Sequence, residues 1–234
     1  MDRIFSRMER ILPPERLAVL ERVHVAVFGI GGVGGALCEA LVRAGIGEIT
    51  LVDKDEVDPT NINRQILALH STIGRAKVDV MRERILDINP RCQVHTRQEF
   101  FLPETADAYN FSQYDYVADA VDTVTAKLEI ISRAKAVGVP VISAMGAGNK
   151  LDAGALRVAD LFDTTVCPLA RVMRAECRKR GLSDIPVVYS TEPAYPVRNA
   201  DGEEHPAPGS ISYVPPVAGY LMAGKILRDL LDIS

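Results

Sequence analysis

The sequence predicts a doubly wound α/β fold on a mostly parallel sheet, and two observations carry that prediction. The first is the stretch from Val23 to Asp53. A β-branched apolar run leads into Gly29, Gly31, Gly32 and Gly34, an apolar-periodic helix follows, and a second strand ends on Asp53. The second is the alternation of strand and helix patterns downstream, which places crossover helices on both faces of a parallel sheet.

Taken in order, residues 1–22 read as an N-terminal helical arm broken at Pro13-Pro14, with Ile4, Phe5, Met8, Ile11 and Leu12 at helical spacing. The first strand, Val23 to Phe28, enters the glycine turn. There the glycines allow a tight turn, close backbone approach to a phosphate-bearing ligand and close helix-to-strand packing, while the helix N-terminus offers N–H groups to an anion. The helix from Gly34 to Ala44 is ended by Gly45 and Gly47. Asp53, at the end of the second strand, is placed to accept hydrogen bonds from a ribose. A polar segment follows, unlike the next strand of a simple dehydrogenase repeat. Then come a helix over 75–88, a strand over 93–97, a strand over 116–121, a helix over 125–137 and a strand over 139–143. Residues 23–150 thus form a nucleotide-binding region. Residues 151–234 read as a smaller C-terminal α/β lobe: a strand over 156–161, a basic helix over 169–180, a strand over 186–191 and an apolar helix over 217–231. The stretch 193–210, rich in Pro, Gly and charge, reads as a mobile loop.

Composition narrows the class. A chain of 234 residues with 47% apolar and 25% charged residues suits a globular domain with an appendage. No apolar run is long enough to cross a bilayer, and the charged N-terminus lacks the apolar centre of a signal peptide, so a cytoplasmic protein without a membrane partner is expected. A net charge of −4 argues against wholesale nucleic-acid binding but leaves room for a local basic face. Cys38, Cys92, Cys167 and Cys177 form no CxxC pairs, which predicts no zinc. His24, His70, His95 and His205 show no clustered spacing and read as surface or core residues. Lys127 reads as a helix-surface lysine. Gly146 and Gly148 read either as backbone approach to a bound intermediate or as a plain strand-exit turn.

A dinucleotide enzyme needs only the glycine turn and Asp53. This chain adds Asn61, Asn63, Arg64, Gln65 and Lys77, and then Asp122 at the end of a later strand. Arginine and lysine neutralise charge as pyrophosphate leaves, and a carboxylate holds Mg²⁺ against the phosphates.

These residues stand in motifs. GIGGVG at Gly29 to Gly34, DKDEVDPTNINRQ from Asp53 to Gln65, GRAK ending at Lys77 and DAVD ending at Asp122 resemble the ThiF/MoeB/HesA superfamily, the adenylating domain shared with ubiquitin-activating enzymes. The resemblance implies a Rossmann-like half that binds ATP and transfers AMP to a carboxylate. Gly29, Gly31, Gly32 and Gly34 then belong to the phosphate turn, Asp53 to ribose, Asn61, Arg64, Gln65 and Lys77 to the phosphates, and Asp122 to Mg²⁺. FSR at Phe5 to Arg7 resembles the segment whose arginine reaches ATP in the partner subunit, which makes Arg7 a catalytic candidate. Within the superfamily, FSRMERIL, DAVDTVTAK, CPLARVMR, VVYSTE and GSISYVPPVAG resemble the tRNA-dehydrating branch. That branch implies cyclisation of N6-threonylcarbamoyladenosine next to the anticodon through adenylation of its carboxylate, a homodimer and a monovalent cation (K⁺ or Na⁺); a sulfur-transfer protein is a candidate partner that the sequence leaves open. The spacing of Arg171, Arg174 and Arg178 puts them on one helical face, which reads either as a surface for tRNA phosphates or as an ordinary solvated face. Cys167 stands where some members have Asp, and reads either as an acyl-accepting thiol or as a small residue before a helix. The alternatives are an activator of a ubiquitin-like sulfur carrier, a non-catalytic nucleotide-binding scaffold and an NAD-dependent oxidoreductase.

Overall fold

The computed structural model describes residues 3–196 and 208–233, so the predicted loop near 193–210 lies largely outside the described residues, as does His205. The arm consists of two 3₁₀ turns, Arg3–Phe5 and Met8–Arg10, and helix α1 (Pro14–Leu20). It is docked by Phe5, which is buried with its ring against Gly45. Strand β1 (His24–Phe28), helix α2 (Gly32–Arg43) and strand β2 (Glu48–Val52) make the first βαβ unit. Helix α3 (Lys77–Ile88), strand β3 (Gln93–Arg97), strand β4 (Tyr116–Asp119), helix α4 (Val124–Ala136) and strand β5 (Val141–Ala144) follow. Strand β6 (Leu156–Asp160), helix α5 (Pro168–Lys179), strand β7 (Pro186–Ser190) and helix α6 (Val214–Leu230) complete the order.

The seven strands of the described residues share one sheet in the order β3-β2-β1-β4-β5-β7-β6, parallel except for β6, which pairs antiparallel with β7. The C-terminal strands therefore continue the sheet begun by residues 23–150. Strand β1 is buried along its whole length because it feeds two cores. Val25 and Val27 face the core built with α2, α3 and α6, and Ala26 and Phe28 face the core built with α4 and α5. A strand covered on both faces reads as a continuous apolar run, which is what this one does.

Helix α6 lies directly on α2. A Cβ at Gly219 would stand 2.3 Å from the Val33 carbonyl oxygen, so only glycine permits this backbone approach. The helix starts at Val214, earlier than expected, because Pro215 and Pro216 occupy its first turn, where a missing N–H leaves no intrahelical bond unmade. No helix among the described residues is long and apolar enough to cross a membrane.

Candidate nucleotide site

Strand β1 has β2 on one side and β4 on the other. Chain direction reverses its progress across the sheet there, and open α/β sheets bind ligands beyond the carboxyl ends of the strands at such a point. A pocket of about 310 Å³ occupies that position. Its lining includes Gly29, Gly31 and Gly32 after β1, Asp53 after β2, Asn61, Arg64, Gln65 and Lys77 from the connection to α3, and Asp122 after β4. Residues up to about ninety positions apart in sequence thus share one wall system.

The turn is built by packing. Gly29 has φ +88°, and a Cβ there would lie 2.7 Å from the Ala120 carbonyl oxygen. At Gly31 the nearest atom to a Cβ would be Gln65 Nε2 at 3.7 Å, so this backbone faces open pocket. Gly34 does not line the pocket. A Cβ on it would fall 1.8 Å from the Gly29 carbonyl oxygen, which makes it the residue that lets α2 close onto the strand.

Asp53 lies one residue beyond β2. Its Oδ2 accepts the Ile30 N–H at 2.6 Å and its Oδ1 accepts the Asp55 N–H at 2.9 Å. Burial raises its pKa, opposed by those N–H groups and by the charge of Lys77. Lys77 opens α3, is buried, and holds Asp55 Oδ2 at 3.0 Å. It is aimed into the pocket because the chain pins 55–57 onto 74–77, with Lys77 N–H donating to Asp55 O, Val57 N–H to Arg75 O and Gly74 N–H to Val57 O. The Arg64 guanidinium is positioned by Thr60 O at 2.9 Å and Asn63 Oδ1 at 3.0 Å. Asn61 is buried and accepts the Asp58 N–H, fixing the 3₁₀ turn Pro59–Asn61. Gln65 Oε1 is buried with no hydrogen-bond partner among the described residues. A buried acceptor in a pocket wall costs about 1–3 kcal/mol until a donor reaches it.

Asp122 sits in the loop between β4 and α4 rather than at the end of the strand, because β4 stops at Asp119. Among the described residues its carboxylate accepts only the Thr123 hydroxyl, at 3.3 Å on Oδ1, and the side chain is exposed.

Several residues fall elsewhere. Arg7 is exposed on the arm and does not line the pocket of its own chain. Asn63 donates to Ser210 O at 3.0 Å, on the segment leading into α6. Gly146 and Gly148 are outside the lining, and Gly148 is pressed against Pro208. Cys167 is buried immediately before α5, outside the pocket. Burial pushes the Cys92 thiol up to about 12 and raises Cys38 as well.

Three expectations need correction. Lys127 is not a surface lysine: it is fully buried, 3.0 Å from Asp119 Oδ2, because its position on α4 faces the ends of β4 and β5. His24 and His95 do cluster, with Glu48 between them, since adjacent strands bring together residues that no local spacing joins. The basic face of α5 is not uniformly free, because Arg174 donates to Thr164 O at 2.9 Å and Arg178 lies over the Phe162 ring.

Sequence reasoning missed the apolar wall. Phe28 and Phe101 meet edge to face with centroids 4.9 Å apart, and Lys54 Nζ lies 4.6 Å from the Phe100 ring centre. With Val52 these residues give the pocket an apolar side, the kind of surface a nucleobase packs against. The available signal was the aromatic pair Phe100-Phe101 just past β3, which is paired to the strand that ends before Asp53.

Comparison with known proteins agrees with this geometry. The model of the ThiF family matches residues 5–233. The chain is 41% identical to the tRNA threonylcarbamoyladenosine dehydratase of Bacillus subtilis, over 97% of this chain and 94% of that one. It is 40% identical to the Escherichia coli dehydratase of that name, over 80% of this chain and 69% of that one. The crystal structure of E. coli tRNA N6-threonylcarbamoyladenosine dehydratase in complex with ATP superposes with a TM-score of 0.88 at 34% identity, covering 97% of this chain and 93% of that chain. Since the family match runs from Phe5 of the arm to Ile233 beyond α6 and includes every residue that walls the pocket, the chain belongs to the ThiF family.

Proposed function

We propose that this protein is an ATP-dependent enzyme that dehydrates N6-threonylcarbamoyladenosine in tRNA to a cyclic form, with the nucleotide bound in the β1–β4 pocket. The observation that carries the reading is the open Gly31 backbone facing Gln65 and the buried Lys77 across one pocket, in a chain with 41% identity to a curated dehydratase along nearly its whole length.

The groups present fit the nucleotide. The aromatic wall takes the base, Asp53 keeps lone pairs for ribose hydroxyls beyond those given to Ile30 and Asp55, and the N-terminus of α2 presents N–H groups to phosphate. The threonyl carboxylate attacks the α-phosphorus, the bond to the bridging oxygen breaks, and pyrophosphate leaves. Arg64 and Lys77 stabilise the charge that grows on the departing group. An internal nucleophile of the same side chain then attacks the activated carbonyl and gives up its proton, AMP leaves carrying one former carboxylate oxygen, and the closed ring is lighter by the elements of one water. Holding both reactants on one nucleoside supplies the effective molarity, so no covalent relay through Cys167 is required.

Asp122 fits Mg²⁺, because its carboxylate is exposed and lightly bonded whereas Asp119 is spent on Lys127 and Ser143. Mg²⁺ bound there would supply positive charge to the phosphates. A monovalent cation, a homodimer in which Arg7 reaches the partner's nucleotide, a sulfur-transfer partner and a cytoplasmic location complete the reading.

The test is mass spectrometry of threonylcarbamoyl-modified tRNA incubated with the protein and Mg-ATP. The nucleoside is expected to lose one water. Unchanged tRNA, together with ATP–pyrophosphate exchange stimulated by a ubiquitin-like carrier protein, would overturn the proposal.

A further inference from the structure

The opposite ends of the same strands hold a second group of chemistry-bearing residues. His24 opens β1 and pairs in register with Glu48, which opens β2, and His95 on β3 pairs with Thr50. Alternation along the strands puts His24, Glu48 and His95 on one face of the sheet. Glu48 Oε1 lies 3.4 Å from His24 Nδ1 and 2.8 Å from His95 Nε2, so one carboxylate oxygen stands between two imidazole nitrogens. One ligand atom from each residue lies within 4.8 Å of the others. The group borders a cavity of about 620 Å³ whose wall also carries Arg82 and Arg97.

We propose that His24, Glu48 and His95 form a binding site for a divalent first-row transition metal of the zinc class, with the remaining coordination position open to the Arg82–Arg97 cavity. Two imidazole nitrogens and one carboxylate oxygen are a donor set that suits Zn²⁺ and Co²⁺ better than Mg²⁺ or Ca²⁺, which take oxygen shells. Bonds of about 2.0–2.1 Å in a tetrahedral site place donor atoms roughly 3.3 Å apart. The two separations from Glu48 bracket that value.

The surrounding structure orients the ligands. His24 Nε2 is 2.8 Å from Thr50 Oγ1, and with Nε2–H donating to that hydroxyl the Nδ1 lone pair points at Glu48. Its backbone N–H is held by Asp115 Oδ2 at 2.8 Å, and the Tyr114 ring meets the imidazole edge to face. Burial is the largest influence on His24 and lowers its pKa, against the raising effect of Glu48, which favours the neutral imidazole. Three hydrogen-bonded strands supply the three ligands, so little chain entropy is spent in assembling them.

The experiment is titration of the full-length protein with Co²⁺, read by visible absorption, and with Zn²⁺, read by calorimetry, both without nucleotide. One equivalent per chain with the intense absorption of tetrahedral Co²⁺ is expected. His95 is half-exposed on the edge strand, at 52% of its side-chain surface, so His95→Ala should leave the circular dichroism intact and weaken the metal at least about tenfold. Thr50→Val should weaken it less. No stoichiometric binding, or binding unchanged in both His95→Ala and Glu48→Gln, would show that the three residues form only a hydrogen-bonded ion pair and would overturn the proposal.

Discussion

Lys127 Nζ lies 3.0 Å from Asp119 Oδ2, and neither side chain reaches solvent. Ser143 Oγ donates to the same oxygen at 2.5 Å, and Asp119 Oδ1 accepts the Val121 N–H at 3.2 Å. This buried group ties α4 to the ends of β4 and β5 and fixes the start of the loop that carries Asp122. Lys127→Met should lower stability by about 3–5 kcal/mol in urea unfolding, because Asp119 would remain as an uncompensated buried charge. Adding Asp119→Asn should recover part of that loss.

Lys77→Ala should reduce AMP transfer by roughly 10²-fold or more while near-native circular dichroism persists, as expected of a group that stabilises departing charge. Asp122→Ala should behave alike. Measurement of pyrophosphate release in single turnover checks both.

Gly34→Ala brings a methyl group against the Gly29 carbonyl oxygen and must push α2 off the strand. The expected outcome is destabilisation of at least about 1–3 kcal/mol together with loss of ATP binding. Thermal unfolding with and without ATP reads both effects, and the stabilising shift from nucleotide should vanish in the variant.

On α5, Arg174 and Arg171 should separate. Arg174 is committed to Thr164, so Arg174→Ala should lower stability by about 1.5–3 kcal/mol and leave the salt dependence of tRNA binding unchanged. Arg171 is exposed, and Arg171→Ala should flatten that dependence. Filter binding across a salt series distinguishes them.

Arg7 lies outside the pocket of its own chain. An Arg7→Ala chain and an Asp122→Ala chain, each inactive alone, should regain activity when mixed and allowed to exchange subunits. A planar, permanently charged fork supplied across an interface would complete the site containing intact Asp122. Activity that stays absent after demonstrated exchange would remove Arg7 from the partner's site.

The first βαβ unit was legible because its signals are local: a β-branched run, glycines at fixed offsets and an acid closing the next strand all lie within Val23 to Asp53. Arg64 and Lys77 were legible through their motifs rather than any periodicity. What escaped was decided by strand neighbours. Phe100 and Phe101 wall the pocket because β3 pairs with β2, and His24, Glu48 and His95 meet because three strands share a register. Lys127 was misread for a related reason. Its residue type favours the surface, and Asp119 and Ser143, on other elements, make its burial tolerable.

The contact of Gly219 with Val33 sets the timetable of assembly. The glycine turn, α2 and Asp53 all emerge early in synthesis, yet the far side of α2 stays bare until residues near Gly219 arrive and their backbone seats against it. Closing so long a loop is entropically slow, and folding rates fall as such distant contacts come to dominate. A growing chain therefore carries the whole glycine-turn motif well before the helix that covers α2 has been made.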